Sequence, residues 1–279
     1  MESHSVNSKH LTRKTPFFIV SLVIIAIGIF LLVSHRIVVI NGKLALLNAS
    51  SFEIHGSDVT DKDLENLKYL SNIERLWLST PQITDISFVS EMKDLKSFSV
   101  ESQNIVNLDL LKNCKNLETL NLFHTNLINL DIFAENTELR MLDIYTGNPV
   151  QDISSLRQMG KLERFSVSSS ELTDISPIGS LGNLTSLEMS CNSINDLSPL
   201  IGCKGLKYLS LNGCKQVTDI SPLAEMKALR EIHICGTAIN DFTPLLSIES
   251  LEKVVANDGQ IDSSTLAKLE SENITVELL

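Results

Sequence analysis

The stretch VTDISPL (217–223) returns as LTDISPI (172–178) and INDLSPL (194–200). These phrases sit in units that open at Ile73, Leu95, Leu117, Leu139, Leu162, Leu184, Leu206, Leu229 and Leu251, a spacing of 22 residues, with 23 twice. A fixed period of this size argues against an ordinary globular core, because one such unit buries its apolar face only by stacking on its neighbours. In the unit at Leu184 the apolar positions are Leu184, Leu187, Met189, Ile194, Leu197, Leu200 and Cys203. That pattern is neither helical nor purely alternating.

The opening Leu-x-x-Leu-x-Leu has period two at its end, which suits a short strand with one buried face. The phrase VTDISPL then turns the chain. Ser221 is expected to cap the free N–H groups of a short helical turn, and Pro222 sits where its missing N–H and fixed φ are tolerated. The acidic residues of this corner, Asp85, Asp152, Asp174, Asp196, Asp219 and Asp241, are placed to bond the local backbone as Asx turns do, rather than to hold Ca²⁺. Leu223 and Met226 face inward on the opposite side.

The motifs LTSLEMSCNSINDLSPL (184–200) and LREIHICGTAINDFTPL (229–245) resemble the leucine-rich repeat family, in its 22-residue internalin-like bacterial subclass. The resemblance spans residues 52–279 and implies an α/β solenoid, a horseshoe with a concave parallel β-sheet and short 3-10 or helical turns on the convex side. It also implies protein binding through that sheet. The position after the strand where the family favours Asn is here Pro81, Gln103, Thr125, Gly147, Ser170, Asn192, Cys214 and Thr237, so a regular asparagine ladder is absent.

The ends of the array differ from its middle, as a solenoid with capped core edges requires. Residues 52–72 read as an N-terminal capping unit, 73–250 as eight repeats and 251–279 as a C-terminal capping unit. Thr60 with Asp63 resembles a capping box ahead of Leu64, Leu67 and Leu70. Ile261 to Leu269 repeats this helical variant, and ITVEL (274–278) alternates like a final strand. Residues 37–51 form a juxtamembrane linker or cap, in which Asn41 and Gly42 could close a hairpin.

Ahead of the repeats lies FFIVSLVIIAIGIFLLV (17–33), uncharged and about 26 Å long as a helix, enough for a thin bilayer. We read 17–36 as one transmembrane helix and 1–16 as a short basic cytoplasmic tail. A cleaved signal peptide is the competing reading, but its apolar run would be shorter and Leu32 and Ser34 make a poor cleavage site. Lys9, Arg13 and Lys14 before the span, against Arg36 and Lys43 after it, favour a cytoplasmic N-terminus and an extracytoplasmic repeat domain. The whole chain has a formal net charge of −11. A body this acidic excludes nucleic acid as a natural partner, since phosphates require a basic surface.

The five cysteines form no C-x-x-C pair. Cys114 and Cys203 read as small buried residues. Cys191, Cys214 and Cys235 lie in successive units, and a bridge between Cys191 and Cys214 is geometrically possible although their register differs by one residue. No catalytic set, metal site or cofactor motif is present in the sequence. His124 and His233 are five units apart and share no metal.

What remains is the outward face of the strands. The second position of each unit alternates Glu74, Lys96, Glu118, Arg140 and Glu163, a structural charge ladder. The fifth and seventh positions place Trp77, Phe123, Asp143 and Tyr145 on the same face, with Arg164 beside them. Phe123 and Tyr145 are either a recognition patch or a cross-strand stabilising pair. The expected function is that of a membrane-anchored, non-enzymatic recognition module. Its partner is a protein or peptide, with a glycan stacking on Tyr145 and Trp77 as the alternative, or an intracellular scaffold if the topology is reversed.

Overall fold

The computed structural model describes residues 37–145 and 147–279. The anchor expected at 17–33 lies outside the described residues. Within them no helix is long and apolar enough to cross a membrane.

Alternation at the start of each unit produces strands. They are β1 (Ile37–Ile40), β2 (Lys43–Leu46), β3 (Ser51–His55), β4 (Arg75–Ser79), β5 (Ser97–Glu101) and β6 (Thr119–Phe123). Then follow β7 (Met141–Ile144), β8 (Arg164–Ser168), β9 (Ser186–Ser190), β10 (Tyr208–Ser210), β11 (Glu231–His233), β12 (Lys253–Ala256) and β13 (Thr275–Leu278). From β3 to β13 they form one 11-stranded sheet in chain order. Each neighbouring pair from β3 to β13 is parallel.

Like positions lie side by side: Leu120 beside Leu142, Phe165 beside Leu187, Leu209 beside Ile232. The inward residues thus make continuous apolar rows, and Leu187 is fully buried. Opposite the sheet, 3-10 turns such as Ser176–Ser180, Ser198–Gly202 and Ser221–Glu225 close each coil and bury Ile178, Leu200 and Leu223. The architecture expected from the period is present, and the parallel sheet extends one strand ahead of Ile73.

The corner works differently from the expectation for Ser221. No side chain caps the turn from that position. Instead Asp219 Oδ1 accepts the Ser221 N–H at 2.7 Å while the Ser221 hydroxyl donates to Asp219 Oδ2 at 3.0 Å. A carboxylate two residues back reaches the N–H without bending the turn, and the serine is left to fix the carboxylate. The same bond recurs from Asp85, Asp152, Asp174, Asp196 and Asp241 to the residue two ahead, at 2.7 to 2.9 Å. Replacing Asp219 by Ala should cost about 1 kcal/mol, the usual scale of a lost cap, while Asp219→Asn keeps the acceptor and most of the stability. Chemical denaturation of both variants checks this.

The two 23-residue units place their extra residue after the strand. Gly147 and Gly213 take left-handed φ values of 85° and 77° there. A Cβ on Gly147 would lie 2.3 Å from His124 Nδ1, so the position demands glycine. The detour brings Asn148 inward, where its Oδ1 accepts the N–H groups of Thr125 and Leu127, both at 3.0 Å. Ser102 and Ser169 do comparable work in their units, each donating its hydroxyl to a buried carbonyl, of Ile83 and Val150. A scattered set of polar side chains replaces the asparagine ladder.

Cys191 and Cys214 extend that set and are not bridged. All five cysteines are free. The Cys191 N–H donates to Cys214 Sγ at 3.4 Å, and the two thiols donate to the carbonyls of Val167 and Met189. The one-residue offset points each sulfur at the preceding turn instead of at its fellow. Burial pushes the Cys191 thiol up to about 12 and Cys114 and Cys203 up to about 11, so these stay protonated and inert.

Both ends are closed. β1 and β2 form an antiparallel hairpin through Asn41 and Gly42, whose φ values of 45° and 69° fit a two-residue primed turn. Its inner residues Val38, Ile40 and Ala45 cover the first coil. Helix α1 (Asp61–Leu64) follows with the Thr60–Asp63 capping box in place. At the far end α2 (Ser263–Ser271) is capped by Asp262, which accepts from the N–H groups of Ser264 and Thr265.

Candidate recognition surface on the sheet

Alternation turns the third, fifth and seventh positions of each unit outward, and the parallel register sets them in rows. Phe123 closes β6 and Tyr145 follows β7. Their rings stack at 4.4 Å between centroids and 7° between planes. Both are half-buried.

Asp143 is not the exposed flank that its fifth position suggests. It is 4% exposed, because Tyr145 and Arg164 lie over it. The Tyr145 hydroxyl donates to Asp143 Oδ2 at 3.1 Å, and Arg164 Nε donates to Oδ1 at 3.2 Å. Arg164 Nη2 also reaches Glu188 Oε1 at 2.9 Å. Burial raises the Asp143 carboxyl above its ordinary range, against the pull of the Arg164 guanidinium. The four residues form a satisfied network that holds the Tyr145 ring in place. Phe123, Tyr145, Asp143 and Arg164 are thus brought together.

Trp77 is not part of that group. It lies two strands away on β4, about 10 Å at ordinary strand spacing. Its ring meets His55 edge-on at 4.7 Å and remains 48% exposed. With Lys43, Leu44, Phe52 and Arg75 it lines a separate groove of about 620 Å³.

A further cluster escaped the sequence reading. Tyr208 and His233 meet at 5.1 Å between ring centroids. His233 Nε2 lies 2.8 Å from Glu231 Oε1, and Lys253 bridges Glu231 and Glu277 at 3.4 and 2.9 Å. Tyr208, Glu231 and Lys253 occupy the third position of their units, directly paired across the sheet. The period-two signal that exposes positions five and seven exposes position three as well.

The ladder at position two is partial. Lys96 meets Glu74 at 3.2 Å, Arg140 meets Glu163, and Arg230 meets Glu252 at 3.0 Å. Glu118 has no ion-pair partner among the described residues. Exposed pairs of this kind contribute from nothing to about 1 kcal/mol each. Among the described residues no three His, Cys, Asp or Glu side chains are grouped to hold a metal.

Acid should weaken the array through its caps. Backbone and side-chain bonds from Ser198 hold Asp196 below its ordinary range, and those from Thr243 and from Ser264 and Thr265 do the same for Asp241 and Asp262. A carboxylate depressed by folding contributes stability above its unfolded pKa and loses it as pH falls through the folded one. Asp143, being raised, works in the opposite sense. The melting temperature should therefore hold from pH 7 to 5 and fall progressively below about pH 4. Asp262→Asn should lessen that fall, and scanning calorimetry against pH measures it.

Residues 182–225 match the family described as leucine rich repeats, in two copies. No curated protein matches the sequence. Among solved structures, an internalin (inlF) of Listeria monocytogenes is 21% identical, with 85% of this chain and 83% of that one covered and a TM-score of 0.56. A leucine-rich repeat protein of Leptospira interrogans is 17% identical at a TM-score of 0.66, over 80% of this chain and 58% of that one. The functional domain of InlJ from Listeria monocytogenes, described as including a cysteine ladder, is 17% identical at a TM-score of 0.59, over 85% and 55%. The chain therefore carries leucine-rich repeats and shares its fold with the internalins.

Proposed function

We propose that the chain is a membrane-anchored recognition module that binds a protein or peptide through the concave sheet. The observation that supports this best is the Phe123–Tyr145 platform. Tyr145 has its hydroxyl committed to Asp143 and its ring fixed by stacking, so a ligand meets a surface that loses little further freedom on binding. Aromatic rings held in this way, beside an arginine that is itself oriented, are the usual composition of a binding hot spot. In this reading the module is non-enzymatic. The internalin-like fold supports protein binding by analogy.

Anchoring rests on the uncharged stretch 17–33 and on the basic residues before it. In this reading the N-terminus is cytoplasmic and the repeats lie outside. Full-length protein should stay with membranes after carbonate extraction, and protease added to intact cells should digest the repeats. Release into the soluble fraction would sink the anchor, and protection from protease would reverse the topology. A glycan ligand would instead use the half-exposed Trp77 and its groove, so strong capture on a glycan array that Trp77→Ala abolishes would favour that alternative.

A further inference from the structure

The β1–β2 hairpin is apolar on both faces. Its inner residues Val38, Ile40 and Ala45 are buried against the first coil. On the other face the register pairs Ile37 with Leu46 and Val39 with Leu44, and Leu44 also borders the groove beside Trp77. Leu44 is 73% exposed and Leu46 54% exposed. An end cap of a soluble solenoid ordinarily turns a polar face outward. Here four apolar side chains stand where polar ones are expected.

The surroundings of this face are equally specific. Asn66 donates to the Val39 carbonyl at 2.8 Å, which ties the hairpin to the 3-10 turn Glu65–Tyr69. That turn presents an exposed Tyr69 with Lys68 Nζ 5.3 Å from its ring. Lys43, at the hairpin turn, makes no ion pair among the described residues and reaches only the Glu53 carbonyl, at 3.5 Å. Elsewhere Val106 and Ile128 are exposed beside one another in a groove of two adjacent coils, and Ile201 is exposed on a turn farther along. Tyr69, Lys68 and Lys43 thus belong to the same end cap as the apolar hairpin, and tyrosine and lysine are side chains that suit a membrane–water interface.

Chain length supplies the occupant. The uncharged run ends at Val33 and the hairpin begins at Ile37. Four peptide steps reach at most about 14 Å. If 17–33 spans a bilayer, the hairpin has no way of standing clear of its surface. We propose that the outer face formed by Ile37, Val39, Leu44 and Leu46 rests on the bilayer, with Tyr69, Lys68 and Lys43 among the headgroups. The hairpin is then a foot as well as a cap, and it fixes the angle at which the repeats leave the membrane. This inference rests on the anchor reading above.

The test uses the full chain in vesicles of zwitterionic and anionic lipid. Trp77→Phe removes the only native tryptophan, and Leu44→Trp or Leu46→Trp then places a reporter on the outer face. In vesicles whose acyl chains carry bromine, both reporters should lose at least half of their emission relative to unbrominated vesicles. Ile201→Trp, on a turn in the middle of the array, should lose none. If the chain floats with the vesicles and neither hairpin reporter is quenched, the foot is refuted and the anchor stands. Shielding of the reporters from both bromine and aqueous iodide would mean that a second copy covers the face, and would overturn the lipid assignment. A chain that does not float with the vesicles refutes the anchor, and the foot with it.

Discussion

Leu187→Asp should abolish the cooperative unfolding transition of the repeat domain. Leu187 is fully buried and lies between Phe165 on β8 and Leu209 on β10. A carboxylate there meets no cation and no donor, and its desolvation costs several kcal/mol even after the group protonates. Whole domains are stable by only about 5–15 kcal/mol. The loss does not stay in one unit, because each coil completes the core of the next. Ser190→Asp, three residues along and exposed, should melt like the parent. Circular dichroism melts of the two variants decide the matter, and an unchanged midpoint for Leu187→Asp would disprove the inward row.

The double substitution Phe123→Ala with Tyr145→Ala should weaken partner capture at least tenfold, which corresponds to about 1.4 kcal/mol. Hot-spot aromatics commonly cost about 2 kcal/mol or more on truncation. The lost ring stack removes about 0.5–1.5 kcal/mol of stability as well, so the folded fraction must be measured beside the affinity. Tyr145→Phe separates the two contributions. It keeps the stack, frees Asp143 from one donor and leaves Arg164 in place, and should bind far better than the double variant. Lys207→Ala, outside the platform, should change little. A crosslinked partner that binds the double variant as well as the parent would move the search to the Tyr208–His233 cluster.

The repeat was legible because its cause is local. A Leu three residues from the next and two from the one after leaves the chain no other way to bury them, so strand, register and stacking follow from spacing alone. The corner aspartates were legible for the same reason, since an Asx bond spans two residues. Ser221 was misassigned because serine and aspartate in the phrase Asp-Ile-Ser are both able cap acceptors, and only three-dimensional geometry shows which one the N–H faces. Asp143 was placed outward correctly by alternation but is covered by Tyr145 and Arg164 from two different coils. Side-chain reach across coils is invisible to a one-dimensional period. Asn148 shows the same limit, because an inserted residue changes which side chain turns inward.

Gly179 and Gly202 lie in adjacent 3-10 turns on the side away from the sheet. A Cβ built on Gly202 would fall 2.1 Å from the Gly179 carbonyl oxygen, and one on Gly179 would fall 2.7 Å from that of Pro199. The two outer turns approach as closely as bare backbones allow. Curvature in such an array arises when the outer rim is spaced more widely than the strands, and a pinched outer rim removes the difference. The close approach of the turns that follow β8 and β9 therefore works against curvature between those two strands. A ligand laid across Arg164 and Glu188 should accordingly meet a flatter stretch of sheet, better suited to an extended segment than to a protruding knob.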